Sequence, residues 1–87
     1  MLIISRGIFE GIVIGNDVAI VIKRGRDDRL DLAIEAPRDK NIVRNELLRP
    51  GDPGFELYQR LDVGLRFPVE QRAAVLAARL TGDRRAG

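Results

Sequence analysis

The order of hydrophobic and polar positions divides the first 44 residues into five short apolar runs. Ile, Val and Leu dominate these runs and Gly, Asn and Asp separate them, which is typical of strands joined by tight turns. The runs cover residues 2–5, 11–14, 18–22, 30–35 and 41–44. No connection between them is long enough for a crossover helix, so the pattern predicts a largely antiparallel sheet.

Two of the runs carry more information than the others. Residues 18–22 are wholly apolar, which predicts a strand covered on both faces. In residues 30–35, apolar and other side chains alternate, so Leu30, Leu32 and Ile34 share one face. The Gly-Asn-Asp cluster at residues 15–17 suits the turn of a hairpin between the second and third strands.

The pattern becomes helical after Leu48. Residues 50–53 form a breaker cluster, in which Asp52 suits a helix N-cap and Pro53 the first helical position. Phe55, Tyr58 and Leu61 then fall on one helical face.

A second helix is predicted to open at Pro68 and to end at Gly82, which suits a C-terminal cap. Its apolar stripe follows the spacing i, i+4, i+7 and i+11, at Val69, Ala73, Leu76 and Leu80. Residues 83–87 are predicted to fray.

Composition adds a constraint on assembly. A chain of 87 residues buries a limited fraction of its surface, so an independent core is marginal. The chain has no Cys and no His, which excludes disulfides and disfavours a structural zinc site. Oligomerisation is the remaining way to enlarge the core. The formal charge is only +2, so any nucleic-acid binding must come from locally placed Arg.

The same composition argues against an enzyme and against a membrane protein. Without His or Cys, the commonest general base and the thiol nucleophile are missing. Asp27 and Asp28 lie in the charged segment 23–29 among Arg neighbours, as expected of a solvated loop. No glycine-rich phosphate motif occurs, and we expect no cofactor and no metal. Arg6 and Glu10 interrupt the N-terminal apolar stretch, which predicts a soluble protein.

Four segments together resemble one known family. Residues 1–6, Met-Leu-Ile-Ile-Ser-Arg, resemble the MLILTR start of CsrA/RsmA (carbon storage regulator) proteins. Glu10 with residues 14–18 resembles their E-x-x-x-IGD-x-V segment. Residues 36–37 match their A-P turn, and residues 43–47 resemble their V-R-D-E-L segment. The four segments fall in order and without a gap, over about half the chain.

The resemblance implies a mainly β fold, with five short antiparallel strands interleaved in a homodimer and followed by C-terminal helices. Residues 1–49 would form this CsrA-like β domain, with the dimer interface and the RNA edge. Residues 50–87 would form a helical C-terminal extension with a frayed tail. The family and the composition thus lead to a dimer independently.

The resemblance also implies a function, namely a cytoplasmic post-transcriptional regulator. Such a protein binds GGA-containing mRNA leaders or hairpin loops, controls translation or mRNA stability, and has an antagonist RNA or protein as a further partner class. The RNA surface is implied where the first strand of one protomer meets the last strand of the other. Carried over by position, the RNA-binding residues are Ile4, Arg6, Ala36, Pro37, Arg38, Ile42 and Arg44.

Each of these residues also has a structural interpretation. Arg6 and Arg44 offer planar, permanently charged groups for phosphate or guanine. The alternative is an ion pair with a partner-chain carboxylate for Arg6 and a solvated position for Arg44. Ile4 and Ile42 offer apolar ground for bases and equally suit the core. Main-chain groups beside residues 36–37 can recognise the edges of single-stranded bases, although this turn also ends a strand on any interpretation.

Several positions depart from the family pattern. Gly7 stands where a second Arg is common, which removes a cation from the implied RNA edge. Asp31 and Glu35 add acid, and Lys40 adds a positive charge where Val is usual. Phe9 stands where Gly is common, so we expect the first hairpin to turn differently.

These departures support a second hypothesis, a protein-interaction module on the same fold with weak or no specific RNA binding. It would form a heterodimer with a regulator, or dock a partner through the C-terminal helices. The candidate docking residues are Phe55, Tyr58, Leu76 and Leu80. The helices could instead extend the dimer interface or pack onto the sheet of their own chain.

Overall fold

The fold is described by a computed structural model, which covers residues 1–24 and 28–81. Five strands are followed by a short 3-10 helix and two α-helices. They are β1 (Leu2–Gly7), β2 (Gly11–Ile14), β3 (Val18–Val21), β4 (Arg29–Ile34), β5 (Ile42–Arg44), the 3-10 helix Asn45–Leu47, α1 (Phe55–Arg66) and α2 (Val69–Leu80). All strand pairs are antiparallel, so the predicted order of elements and the predicted strand direction are confirmed.

The strands form two sheets within the chain instead of one. β1 and β4 form a two-stranded ribbon, whose register runs from Leu2 opposite Ile34 to Gly7 opposite Arg29. Opposed residues of an antiparallel pair lie on the same face of the ribbon, so the pairing shows which side chains form its inner face. It consists of Leu2, Ile4, Arg6, Leu30, Leu32 and Ile34. The alternation predicted for β4 is present, because these three β4 residues are half-buried and their neighbours are exposed.

β2 lies at the centre of the second sheet, between β3 and β5. Ile12 and Val13 of β2 are completely buried and form the centre of the core. The prediction that residues 18–22 are covered on both faces is wrong for this single chain, since Val18 is 42 % exposed and only Ile22 of that run is buried.

Helix α1 packs against this second sheet, where it contacts β3. Two glycines permit the close approach. A Cβ at Gly11 would lie 2.9 Å from the Tyr58 ring, and a Cβ at Gly54 would lie 2.3 Å from the Val13 side chain. Gly54 also has a φ of 81°, which favours glycine. Packing of the extension onto the sheet of its own chain, one of the alternatives predicted, is therefore the observed arrangement for α1.

The predicted start of α1 is wrong by two residues. Asp52 does not cap the helix, because its carboxylate accepts a hydrogen bond from the Arg49 amide at 2.8 Å and so closes a turn that precedes the helix. The helix begins at Phe55, whose amide donates to the Asp52 carbonyl at 3.1 Å. Gly54, with its positive φ, occupies the N-cap position instead.

The predicted stripe of α2 is also partly wrong. Val69 is 72 % exposed and Ala73 is exposed, whereas Leu76 and Leu80 are half-buried as predicted. The half-buried face of α2 also includes Val75 and Arg79, and Arg79 pairs with a carboxylate of α1. Gly82, residues 83–87 and residues 25–27 of the charged segment 23–29 lie outside the described residues. Over residues 1–24 and 28–81, no helix is long and apolar enough to cross a membrane.

Candidate nucleic-acid interface

Within the described residues, a binding site would have to lie on an exposed surface and not in a cavity. Over residues 1–24 and 28–81 there is no pocket and no cluster of side chains suited to a metal ion. The candidate site must therefore be built from side chains exposed on strands and turns.

Arg6 of β1 occupies a buried ion pair within its own chain. Its guanidinium donates two hydrogen bonds to the Glu46 carboxylate, at 2.5 and 3.2 Å, and one to the Asn45 side-chain oxygen at 2.8 Å. The residue is only 2 % exposed. The sequence suggested an ion pair with a partner-chain carboxylate as the alternative to RNA contact, and the carboxylate here belongs to the same chain.

The Arg6 network connects three parts of the β region. Asn45 accepts a second hydrogen bond from the Gly11 amide at 3.0 Å, which joins β1, β2 and the segment after β5. The Glu46 side chain is about half-exposed, at 53 %. Hydrogen bonding to Arg6 lowers the pKa of Glu46 below its ordinary value of 4.5, and the nearby charge of Arg44 contributes in the same direction.

Ile4, the other site residue predicted on β1, also points inward. It is 4 % exposed and lies opposite Leu32 on the inner face of the ribbon. Ile4 and Arg6 are therefore not on the exposed surface of this chain. Their assignment to RNA binding stays a prediction that requires a different environment for β1.

The other predicted RNA-binding residues lie together on one continuous segment, from the end of β4 through β5. Pro37, Arg38 and Arg44 are exposed, and Ala36 and Ile42 are half-buried. The segment turns tightly, since the Lys40 amide donates to the Pro37 carbonyl at 3.0 Å.

The end of this segment is fixed to the central strand. The Gly15 amide donates to the Asn41 carbonyl at 2.7 Å, and Ile42 and Arg44 then pair with Ile14 and Ile12 of β2. Ile42 and Arg44 therefore share one face of the sheet.

Lys40 is a further exposed cation of this segment, which the sequence did not predict as an RNA-binding residue. A Cβ at Gly15 would lie 3.3 Å from the Lys40 Cδ atom, so the Lys40 stem lies over the β2–β3 turn. Its positive charge at a position where the family pattern has Val was the only signal in the sequence. With Arg38 and Arg44, it makes residues 36–44 a basic, largely exposed segment.

The residues predicted to dock a partner are not an exposed surface. Phe55 and Tyr58 are buried, at 8 % and 3 % exposure, and Leu76 and Leu80 are half-buried. Desolvation raises the pKa of Tyr58 to about 12, and the charge of Asp62 contributes to the rise. The Tyr58 hydroxyl has no hydrogen-bond partner among the described residues. These side chains hold the chain together, so a partner would have to use other residues of the helices.

Comparison with known proteins identifies the family. The family model for CsrA, described as a global regulator protein family, matches residues 1–50. The chain therefore belongs to the CsrA family, and its β region is the part that carries the membership.

Curated relatives match the same part of the chain. It is 43 % identical over 47 residues to a translational regulator CsrA of Thermosipho africanus, covering 54 % of this chain and 64 % of the relative. It is 45 % identical over 47 residues to a translational regulator CsrA of Rhodopirellula baltica, covering 54 % of this chain and 67 % of the relative. The chain thus spans about two thirds of the length of these relatives. No solved structure matches.

Proposed function

We propose that this chain is a post-transcriptional regulator, and not an enzyme, that binds GGA-containing mRNA leaders or hairpin loops and thereby controls translation or mRNA stability. The supporting observation is the exposed basic segment 36–44, which lies within the region matched by the CsrA family model. The similar proteins are described as translational regulators, in agreement with this function.

The chemistry of segment 36–44 suits single-stranded RNA. Pro37 and Arg38 are exposed, so main-chain groups beside this turn could bind the edges of unpaired bases, which an RNA loop presents. Arg44 supplies a fixed charge that can bind a phosphate or a guanine in a bidentate manner. Ile42, half-buried on the same sheet face, gives a base an apolar contact beside that charge.

A homodimer is part of this proposal. In the single chain the inner face of the ribbon is covered only in part, because Leu2 is 42 % exposed and Leu32 is half-buried. A second copy would cover these side chains, and interleaving would let β1 pair with β4 of the partner in the register seen here. Ile4 and Arg6 would then lie beside the partner's segment 36–44 at each of two symmetric sites.

The test is a titration of labelled GGA-loop RNA hairpin with the protein at near-physiological salt, beside the same hairpin with a scrambled loop. Tight binding that is lost on scrambling supports the proposal. Equal, weak and salt-sensitive binding of both hairpins means phosphate attraction alone and contradicts it.

Arg44→Ala tests the assignment of the site. The substitution should weaken binding of the GGA hairpin about tenfold, in line with the loss of one charged base or phosphate contact. The fold should remain intact because Arg44 is exposed. Arg60→Ala is the matched control, since Arg60 is also an exposed cation and pairs with Glu56 on α1. Equal affinity of the Arg44→Ala variant and the wild type would exclude this site.

A protein-interaction module remains the second candidate, and one observation favours it. Val69 of α2 is 72 % exposed and Leu57 of α1 is 38 % exposed, so the helices present apolar side chains other than those first predicted. If the interaction is the function, Val69→Ser will abolish regulation and leave RNA affinity unchanged. Loss of regulation that instead parallels the loss of RNA affinity in Arg44→Ala would reject this candidate.

A further inference from the structure

The first hairpin turn has an unusual backbone for its residue. Phe9, between β1 and β2, has a φ of 63°, a backbone conformation that residues other than glycine rarely adopt. A positive φ at such a residue is costly and persists only where neighbouring structure holds it. The sequence predicted an altered turn at this position because Phe stands where Gly is common, and this stays a prediction, since a positive φ is a conformation that glycine adopts readily.

A side chain from the C-terminal extension holds this turn. Arg66, the last residue of α1, lies with its guanidinium carbon 4.4 Å from the centre of the Phe9 ring. It also donates a hydrogen bond to the Phe9 carbonyl at 3.3 Å. A cation over an aromatic face and a donor on the carbonyl stabilise the same residue in two ways.

Arg66 is itself fixed by a buried carboxylate. Asp62, 5 % exposed, accepts a hydrogen bond from Arg66 at 2.8 Å and another from Arg79 of α2 at 2.7 Å. Two cations from two helices thus neutralise one buried anion. Arg66 and Asp62 lie one turn apart on α1, so this ion pair holds Arg66 in place over Phe9 from within the same helix.

The turn leads directly to the buried ion pair of β1. The Glu10 amide donates to the Gly7 carbonyl at 3.0 Å, and the Glu10 carboxylate accepts from the Gly7 amide at 2.6 Å. The same carboxylate lies 3.7 Å from the Arg6 guanidinium. Contacts therefore run from Arg66 of α1 to Phe9, and through the neighbouring Glu10 to Arg6.

From this geometry we infer that Arg66 is a positioning residue, which holds the Phe9 turn in its positive-φ conformation and thereby fixes the end of β1 that carries Arg6. The extension makes the turn, and the ion pair next to it, dependent on residues outside the family-matched region. The consequence for RNA affinity rests on the proposed function, whereas the consequence for the turn does not.

A double-mutant cycle tests the inference on the full chain. Arg66→Ala should lower the equilibrium constant for folding about tenfold in the wild type, in line with a partly desolvated cation–π contact. In a Phe9→Gly background the same substitution should cost at least threefold less, because glycine adopts a positive φ without support. The measurement is urea denaturation followed by circular dichroism.

Arg79→Ala is the matched control, because it removes the other partner of Asp62 but no contact of Phe9. Its cost should be the same in the wild type and in the Phe9→Gly background. Equal costs of Arg66→Ala in the two backgrounds would overturn the inference.

A structural readout separates positioning from general destabilisation. In NMR spectra under native conditions, the amide resonances of Gly7 and Glu10 should shift in Arg66→Ala and stay in place in Arg79→Ala. Unchanged Gly7 and Glu10 resonances in Arg66→Ala would also contradict the inference.

The RNA measurement then distinguishes this inference from the proposed function. If the chain binds the GGA hairpin, Arg66→Ala should weaken binding several-fold and Phe9→Gly should restore it. If the wild type does not bind the hairpin, the proposed function fails, and the folding and NMR results still decide the role of Arg66.

Discussion

Two buried ion-pair networks, one in the β region and one in the helical extension, have opposite charge arrangements. In the first, the buried cation Arg6, 2 % exposed, depends on the half-exposed anion Glu46. In the second, the buried anion Asp62, 5 % exposed, has the two cations Arg66 and Arg79 as partners. A buried charge that loses its partner is costly, so a network with two partners should tolerate a substitution better than a network that relies mainly on one.

The largest effect is expected from removal of the helices that contain the second network. Truncation after Leu48 removes α1, whose Phe55, Tyr58 and Val63 are buried. Burial of three such side chains contributes on the order of 5 kcal/mol, a large part of the stability of a small domain. The truncated chain should therefore unfold or aggregate, which size-exclusion chromatography and circular dichroism will detect.

A stable truncated chain would contradict the prediction that the helices contribute most to stability. If residues 1–48 fold with the stability of the full protein, α1 contributes little and the face that it covers tolerates water. The β region would then be an independent unit, and the extension an addition to it.

The fold of the β region was largely predictable from the sequence, because each of its features leaves a local signal. The five apolar runs gave the strands, and the alternation at Leu30, Leu32 and Ile34 gave the face of β4. The family motifs supported the same order and spacing of these segments. The division of the strands between two sheets was not predictable, because all five runs have the same composition whichever strands they pair with.

The two networks were the least predictable part. Asp62 lies on the predicted apolar face of α1, seven residues after Phe55 and four after Tyr58. The sequence does not show that this carboxylate is buried, because its two partners depend on how α1 and α2 pack. Arg6 was singled out for its charge and its motif, but the burial of a guanidinium follows from Asn45 and Glu46, 39 and 40 residues away. Long-range polar contacts of this kind have no signature in a single sequence.

The next largest effect compares the two networks directly. Glu46→Ala leaves Arg6 buried with Asn45 and a more distant Glu10 carboxylate, 3.7 Å away. The substitution should cost about 3 kcal/mol, because it leaves a buried charge poorly compensated. Arg79→Ala should cost about 1 kcal/mol, since Arg66 still pairs with Asp62. Chemical denaturation of both variants measures the difference. A larger cost for Arg79→Ala would show that two partners give no such tolerance.

Acid should weaken the first network by protonating Glu46. The pKa of Glu46 is lowered in the folded chain, so its contribution is present above its unfolded value of about 4.5 and is lost as the pH falls through the folded value. Stability should therefore decline less with acid in Glu46→Gln than in the wild type. Thermal unfolding from pH 6 to pH 3 measures both, and identical pH profiles would mean that Glu46 does not contribute to the acid sensitivity.

The smallest of these effects at neutral pH, and the most specific probe of the extension, is the titration of Tyr58. It is the single Tyr of a chain without Trp, so phenolate absorbance reports on this residue alone. Burial raises its pKa to about 12 in the folded chain, whereas an unfolded Tyr titrates near 10. A group with a raised folded pKa loses its contribution as the pH rises, so about 2 kcal/mol should be lost between pH 10 and pH 12. Below pH 10 the Tyr58 hydroxyl stays neutral and its contribution to stability does not change.

An absorbance midpoint near 10 in a chain that circular dichroism shows to be folded would mean that Tyr58 is solvated and that α1 does not pack on Gly11. Tyr58→Phe, which removes a hydroxyl that has no partner among the described residues, should abolish the absorbance change and keep the neutral-pH stability.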